Sequence, residues 1–272
     1  MTTKKKVPST GLAPVQNRYA AIIERIFFAH YKKGVRSLSF KRDEIEVASE
    51  ELGIKLPKNQ GDVLYNLRFR SPMPPSVLAT QPEGYEWIIE LAGRASYRFS
   101  LAKANRILPN ETLARIKIPD NTPEIITSYA LDDEQALLAK VRYNRLIDVF
   151  LGLTTFSLQN HLRTTVTGIG QIEIDELYVD IDKYGCHHVI PVQAKGGADQ
   201  ISIVQTRQDM AWCEQKYPGL RCRPISAQFI ASDLIALFEL TVDGDEIRVV
   251  EERHYKLVPA SEIDRREISA YR

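Results

Sequence analysis

From Asn17 onward, apolar residues recur every three or four positions: Tyr19, Ile22, Ile23, Ile26 and Phe27. That period predicts an amphipathic helix ending near Gly34. Ser37-Leu38-Ser39-Phe40 alternates and predicts a short strand. Ile45, Val47, Ala48 and Leu52 place a second helix after Asp43, a candidate cap, with Gly53 at its end. A third helix is expected from Asn59 to Arg70. Gly84 to Leu91 and Ser96 to Phe99 read as two strands joined by a turn at Ala92-Gly93-Arg94-Ala95.

Residues 101–131 contain Pro109, Pro119 and Pro123 and read as an extended connector. A long helix is expected from Asp132 to Leu151, with Leu137, Leu138, Val141, Ile147 and Phe150 inward. Its acidic start, Asp132-Asp133-Glu134, suits the helix dipole. Strands follow at Gln159–Val166, Gly170–Leu177 and His188–Lys195. A helix over Asp199–Lys216 and a strand over Arg221–Ile230 come next. The pattern closes on a hairpin over 234–241 and 247–252, with 254–258 extending it. The expected fold class is therefore α/β. The predicted division is a disordered basic tail (1–16), a first domain (17–100), the connector (101–131) and a second domain (132–272).

The order helix, short strand, helix, helix, hairpin is similar to that of a winged helix, whose third helix commonly enters the DNA major groove. That helix offers Lys58, Asn59, Gln60, Asn66, Arg68 and Arg70. Lys and Arg suit phosphate or guanine, and Asn or Gln suit adenine. A solvated helix face, or a winged helix that binds protein, is the plainer alternative. Trp87 and Tyr97 read as hairpin core.

Charge sharpens the picture. The net charge of the 272 residues is only +1, but residues 1–110 hold 18 Lys/Arg against 10 Asp/Glu, and residues 111–272 hold 18 against 25. A basic first part suits a polyanion, and an acidic second part suits metal-binding carboxylates. At 44% hydrophobic and 26% charged, the composition is that of a globular protein. No apolar run approaches the ~18 residues of a membrane span. Met1 to Gly11 holds three lysines and no apolar core after them, unlike a secretory signal. Cys186, Cys213 and Cys222 have no CxxC spacing, so reduced thiols and a cytoplasmic location are expected. Cys186-His187-His188 reads as turn and strand rather than zinc ligands.

The chemistry concentrates in two adjacent strands. The first carries Glu173 and Asp175 two apart, and the second ends in Gln193 and Lys195, also two apart. Residues two apart on a strand share a face. Paired, the strands bring carboxylates, an amide oxygen and an ammonium together, which are the groups of an Mg²⁺-dependent phosphodiesterase. A cross-strand surface ion pair is the plainer reading of Asp175 and Lys195.

Glu173-Ile174-Asp175-Glu176-Leu177 and Val192-Gln193-Ala194-Lys195 resemble the PD-(D/E)XK nuclease superfamily, the second in the Gln-x-Lys form of Mrr-like restriction enzymes. The resemblance covers residues 132–230, where helix, three strands, helix, strand follows the family's αβββαβ core. It implies that Asp175 bridges the metal, that Gln193 offers its amide oxygen, and that Lys195 orients water or stabilises charge on the phosphate. It also implies a further acidic ligand at Glu134, with Glu173 supplying the charge Gln193 lacks. For Glu134 a helix-terminal acid without a ligand role is an equal reading, and for Glu173 a non-ligand reading is slightly favoured. The implied protein is an Mg²⁺-dependent endonuclease of double-stranded DNA in restriction or defence. A homodimer is expected, since cutting two strands uses two sites. The alternatives are a junction-selective nuclease and a DNA-binding regulator with a dead nuclease fold.

Overall fold

The computed structural model describes residues 16–59, 61–69, 72–103, 106–129, 134–196, 201–244 and 246–269. The chain opens with α1 (Gln16–His30), β1 (Ser37–Lys41), α2 (Asp43–Glu51), α3 (Gly61–Phe69), α4 (Pro75–Leu78), β2 (Tyr85–Leu91) and β3 (Ser96–Lys103). The strands form an antiparallel sheet in the order β1-β3-β2. Ile22, Ile23, Ile26 and Phe27 are buried against Ile45, Val63, Leu64, Trp87 and Phe99. Burying each such side chain contributes about 1.5–3 kcal/mol.

Two details of α2 depart from expectation. Ile45 and Ala48 are buried, whereas Val47 and Leu52 are exposed. Residues 45 and 48 are one helical turn apart, and 47 lies on the other side. Asp43 is the first helical residue, not the cap; Arg42 holds that position. The short α4 starts on Pro75, whose fixed φ suits a first turn.

The chain continues through β4 (Arg106–Ile107), β5 (Arg115–Pro119), α5 (Glu124–Tyr129), α6 (Glu134–Tyr143), α7 (Leu146–Leu151), β6 (Thr154–Val166), β7 (Gly170–Ile181) and β8 (His187–Lys195). Then come β9 (Ile201–Ser202), α8 (Ile203–Lys216), β10 (Arg221–Cys222), β11 (Ile225–Ala231), β12 (Leu234–Asp243) and β13 (Glu246–Val258). An eight-stranded mixed sheet runs β5-β13-β12-β11-β8-β7-β6, with β10 beside β8. β7 is antiparallel to both of its neighbours, β6 and β8. β11 returns parallel to β8 after α8. No helix among the described residues is long and apolar enough to cross a membrane.

The connector is more structured than its prolines imply. β4 pairs with β9, and β5 adds a parallel edge strand to β13. Ile116 and Ile118 of β5 pack on the core around Tyr255 and Leu257, so their alternation was the overlooked signal. The long helix expected over 132–151 is broken. Arg145 takes φ +49° between α6 and α7. Beside it, buried Asn144 accepts from the Asn121 N–H at 2.7 Å and donates to the Lys140 carbonyl at 2.9 Å and Thr122 Oγ1 at 3.0 Å. These side-chain bonds compete with continuation of the helix.

The two parts share a core. Ala102 and Ile88 of the small sheet pack with Ile203, Val204, Phe238 and Leu240. The Gly93 N–H donates to the Ile169 carbonyl at 3.0 Å, and Arg207 bonds Glu90 at 3.2 Å. Gly170, at φ +126°, lies so close that a Cβ there would stand 3.8 Å from the Gly93 carbonyl oxygen.

Candidate active site

β7 and β8 pair from Ile181↔His187 to Glu176↔Val192, stopping short of Asp175 and Gln193. There the Ala194 N–H donates to Asp175 Oδ2 at 2.8 Å instead of to a strand carbonyl. Ile172, Ile174 and Leu177 enter one apolar cluster. A spacing of three breaks the strand's alternation, and the two intervening acids go to different surroundings. Glu176 is fully buried with Arg142 and Tyr178. Asp175 lines a cavity of about 710 Å³.

On β6, His161 stands opposite Asp175, between the pairs Asn160↔Glu176 and Leu162↔Ile174. Its φ of +49° is strained for a non-glycine residue. The ring bridges two groups: Nε2 lies 3.0 Å from the Gln135 amide nitrogen, and Nδ1 lies 3.0 Å from Glu173 Oε1. The ring therefore links Gln135 to Glu173. Arg163 also donates to Glu173, at 3.3 Å. Glu173 thus sits at the rim, held by His161 and Arg163.

Gln193 is held by a residue the sequence reading missed. Its amide nitrogen donates to Asp209 Oδ1 at 3.1 Å, to Asp209 Oδ2 at 3.0 Å and to the Glu173 carbonyl at 3.1 Å. Three acceptors around one nitrogen fix the orientation of the amide. The amide oxygen lies away from Asp209, 3.5 Å from Gln205 Nε2. Asp209 is buried on α8, and burial pushes its carboxyl well above the usual range, with Asp175 adding to the rise. Burial also pushes Asp175 up, against the opposing effects of the Ala194 N–H and the Lys195 charge. Lys195 therefore acts electrostatically on both acids. No family model, no curated protein and no solved structure matches this chain.

Glu134 opens α6 and closes the cavity beside Gly196, where a Cβ would lie 3.8 Å from its Oε1. Asp175, Gln193, Lys195, Glu134 and Glu173 thus all line one cavity. Among the described residues, no group of three or more His, Cys, Asp and Glu is placed to hold a metal ion. The donors present are the Asp175 and Glu134 carboxylates and the Gln193 amide oxygen, hard oxygens of the kind Mg²⁺ takes.

The opposite wall comes from the first part of the chain: Asn59, Gly61, Tyr65 and Arg68. Arg68 does not project freely toward solvent. Its Nε donates to the Ile89 carbonyl at 3.1 Å. Burial lowers its guanidinium to about 10, so it stays cationic at neutral pH. Asn59 Oδ1 accepts from the Gly61 N–H at 3.1 Å. Lys58 is exposed and lies outside the cavity lining. Arg70 and the side chain of Asn66 lie outside the described residues. Gln60 also lies outside them, and of the six expected DNA contacts Asn59 and Arg68 come to the site.

Asp209 had a faint signal. Gln205, Gln208 and Asp209 form a polar stripe at helical spacing on α8, right after the motif strand. Gln208 and Asp209 are buried, and Gln205 and Gln208 line the cavity. His188, in contrast, is occupied structurally, with Nδ1 2.6 Å from buried Asp180.

Proposed function

We propose that this chain is an Mg²⁺-dependent nuclease that hydrolyses phosphodiester bonds in DNA. The observation that carries the reading is the convergence of Asp175, Gln193 and Lys195 on one cavity where β7 and β8 part. The order β6-β7-β8-β11, antiparallel twice and then parallel across α8, supports a restriction-endonuclease-like core. The order of α1 to β3 supports a winged-helix-like first domain.

In this reading Asp175, Glu134 and the Gln193 amide oxygen hold the metal. Mg²⁺ held there would supply positive charge toward a bound phosphate. Asp209 fixes the Gln193 amide so that its oxygen, not its nitrogen, is presented. Lys195 places a cation beside Asp175, where it stabilises charge building on the phosphate. The His161–Glu173–Arg163 group braces the rim. Restriction or defence is the matching biological role, and paired copies would cut both strands.

Incubation of the purified protein with plasmid in Mg²⁺ or EDTA tests the reading. Nicked or linear DNA is expected in Mg²⁺ alone, and Asp175→Ala and Lys195→Ala should lose it. Retained gel-shift binding with no cleavage at any Mg²⁺ concentration would instead make the chain a DNA-binding protein with a silent site.

A further inference from the structure

We propose that α3 is the second wall of the site, and that the substrate is a nucleic-acid strand with an unstacked base, which packs on Tyr65. This rests on the nuclease reading above and narrows its substrate.

The first part of the argument is rigidity. Val63, Leu64 and Leu67 anchor α3 in the core of the first region. That region is joined to the large sheet by the cluster around Phe238 and by the Gly93–Ile169 and Glu90–Arg207 bonds. The wall carrying Tyr65 and the floor carrying Asp175 therefore keep a fixed relation.

Size comes next. The cavity between them holds about 710 Å³. That lies within the ~300–1,000 Å³ of sites for small organic ligands. It is room for a nucleotide-sized group. Asn59, Tyr65 and Arg68 line this space together with the acids.

Third is the chemistry of the lining. Tyr65 leaves 49% of its surface exposed, on the opposite side of α3 from the buried Leu64 and Leu67. An aromatic face beside cations is how proteins hold unpaired bases, because every base has a π-face and every linkage a phosphate. Arg68, Arg163 and Lys195 supply the cations, and Gln205 and Gln208 add amides able to meet a base edge. Reaching the ring obliges the base to leave its stack.

Fluorescence anisotropy in EDTA, where metal-dependent cleavage is off, tests this with three labelled probes. They are a short single-stranded oligodeoxynucleotide, the blunt duplex of the same sequence, and that duplex with one unpaired nucleotide. The single strand and the bulged duplex should bind tighter than the blunt duplex. Tyr65→Ala should weaken both by about tenfold, the loss of one stacked base, and leave the blunt duplex unchanged. Tyr65→Phe should bind like the parent, and matched thermal melts establish that the variants fold. A preference for the blunt duplex, or single-strand binding indifferent to Tyr65→Ala, overturns the proposal. Tyr65-dependent binding without Mg²⁺-dependent cleavage overturns the nuclease reading instead, and cleavage indifferent to Tyr65 overturns this one alone.

Discussion

Asp175 and Glu176 are chain neighbours on β7 with contrasting surroundings. Glu176 has no exposed surface, pairs with Arg142 and accepts from Tyr178. Asp175 is bonded by the Ala194 N–H and senses Lys195, but Glu173 and burial oppose its charge. The contrast separates two uses of a carboxylate. A buried acid whose partners balance its charge holds the fold together. A half-buried acid left short of positive charge, at the edge of a cavity, is poised to bind a cation.

The contrast can be broken by swapping each acid for a neutral residue. The largest effect is expected at Asp175→Asn, where plasmid cleavage should fall by about 10²–10³-fold, the scale of losing one charge-stabilising group. The same variant should unfold at higher urea than the parent in EDTA, because a strained charge is gone. A folded Asp175→Asn that cleaves normally ends the assignment.

Glu176→Ala should do the reverse. Stability should drop by roughly 2–3 kcal/mol, less than for a wholly buried pair because Arg142 is partly exposed. Cleavage per folded molecule should hold. A cleavage loss larger than the folded fraction explains would move Glu176 into the site.

Gln193→Glu sharpens the comparison by adding a charge where none fits. The new carboxyl would face Asp209 without the amide's N–H donors and would leave the two acids to share a proton, at a cost of about 1–3 kcal/mol for the lost donor. Combining it with Asp209→Asn exchanges donor and acceptor and should recover the loss. Urea midpoints of both singles and the double measure that coupling. Additivity would mean the two side chains do not meet.

The smallest effect is a pH slope. Asp175 and Asp209 both have folded-state carboxyls above their unfolded values. The folded chain then keeps protons that the unfolded chain has released. Stability should fall as pH rises from the ordinary carboxylate range through the raised values. Urea titrations in EDTA across that window should show the decline, and Asp175→Asn should flatten it. A rising slope that Asp175→Asn leaves unchanged contradicts the assigned burial.

Much of this was legible in the chain. Periodicity located α1, whose apolar residues lie on one side, and the motif strands and α8 fall near their expected places. The carboxylates and Gln-x-Lys fell on adjacent strands, as alternation requires. What escaped depended on partners distant in sequence. Asn144 breaks a helix through bonds to Asn121 and Thr122, some twenty residues upstream. β5 becomes a strand because Tyr255 and Leu257 are there to cover Ile116 and Ile118. Asp209 belongs to the site only because α8 packs it under Gln193. Arg68 reads as an exposed contact until the fold places it against the Ile89 carbonyl.

The shared core around Ile88, Ala102 and Phe238 has a consequence for engineering and for evolution. A recognition module on a flexible tether can be exchanged like a cassette. The first region here cannot, because removing it strips the cover from Ile203, Phe238 and Leu240 and disturbs the half that carries Asp175 and Gln193 as well. New specificity would have to arise in place, by substitution on the face of α3. The two halves should then melt in one cooperative step, and should be inherited together rather than shuffled.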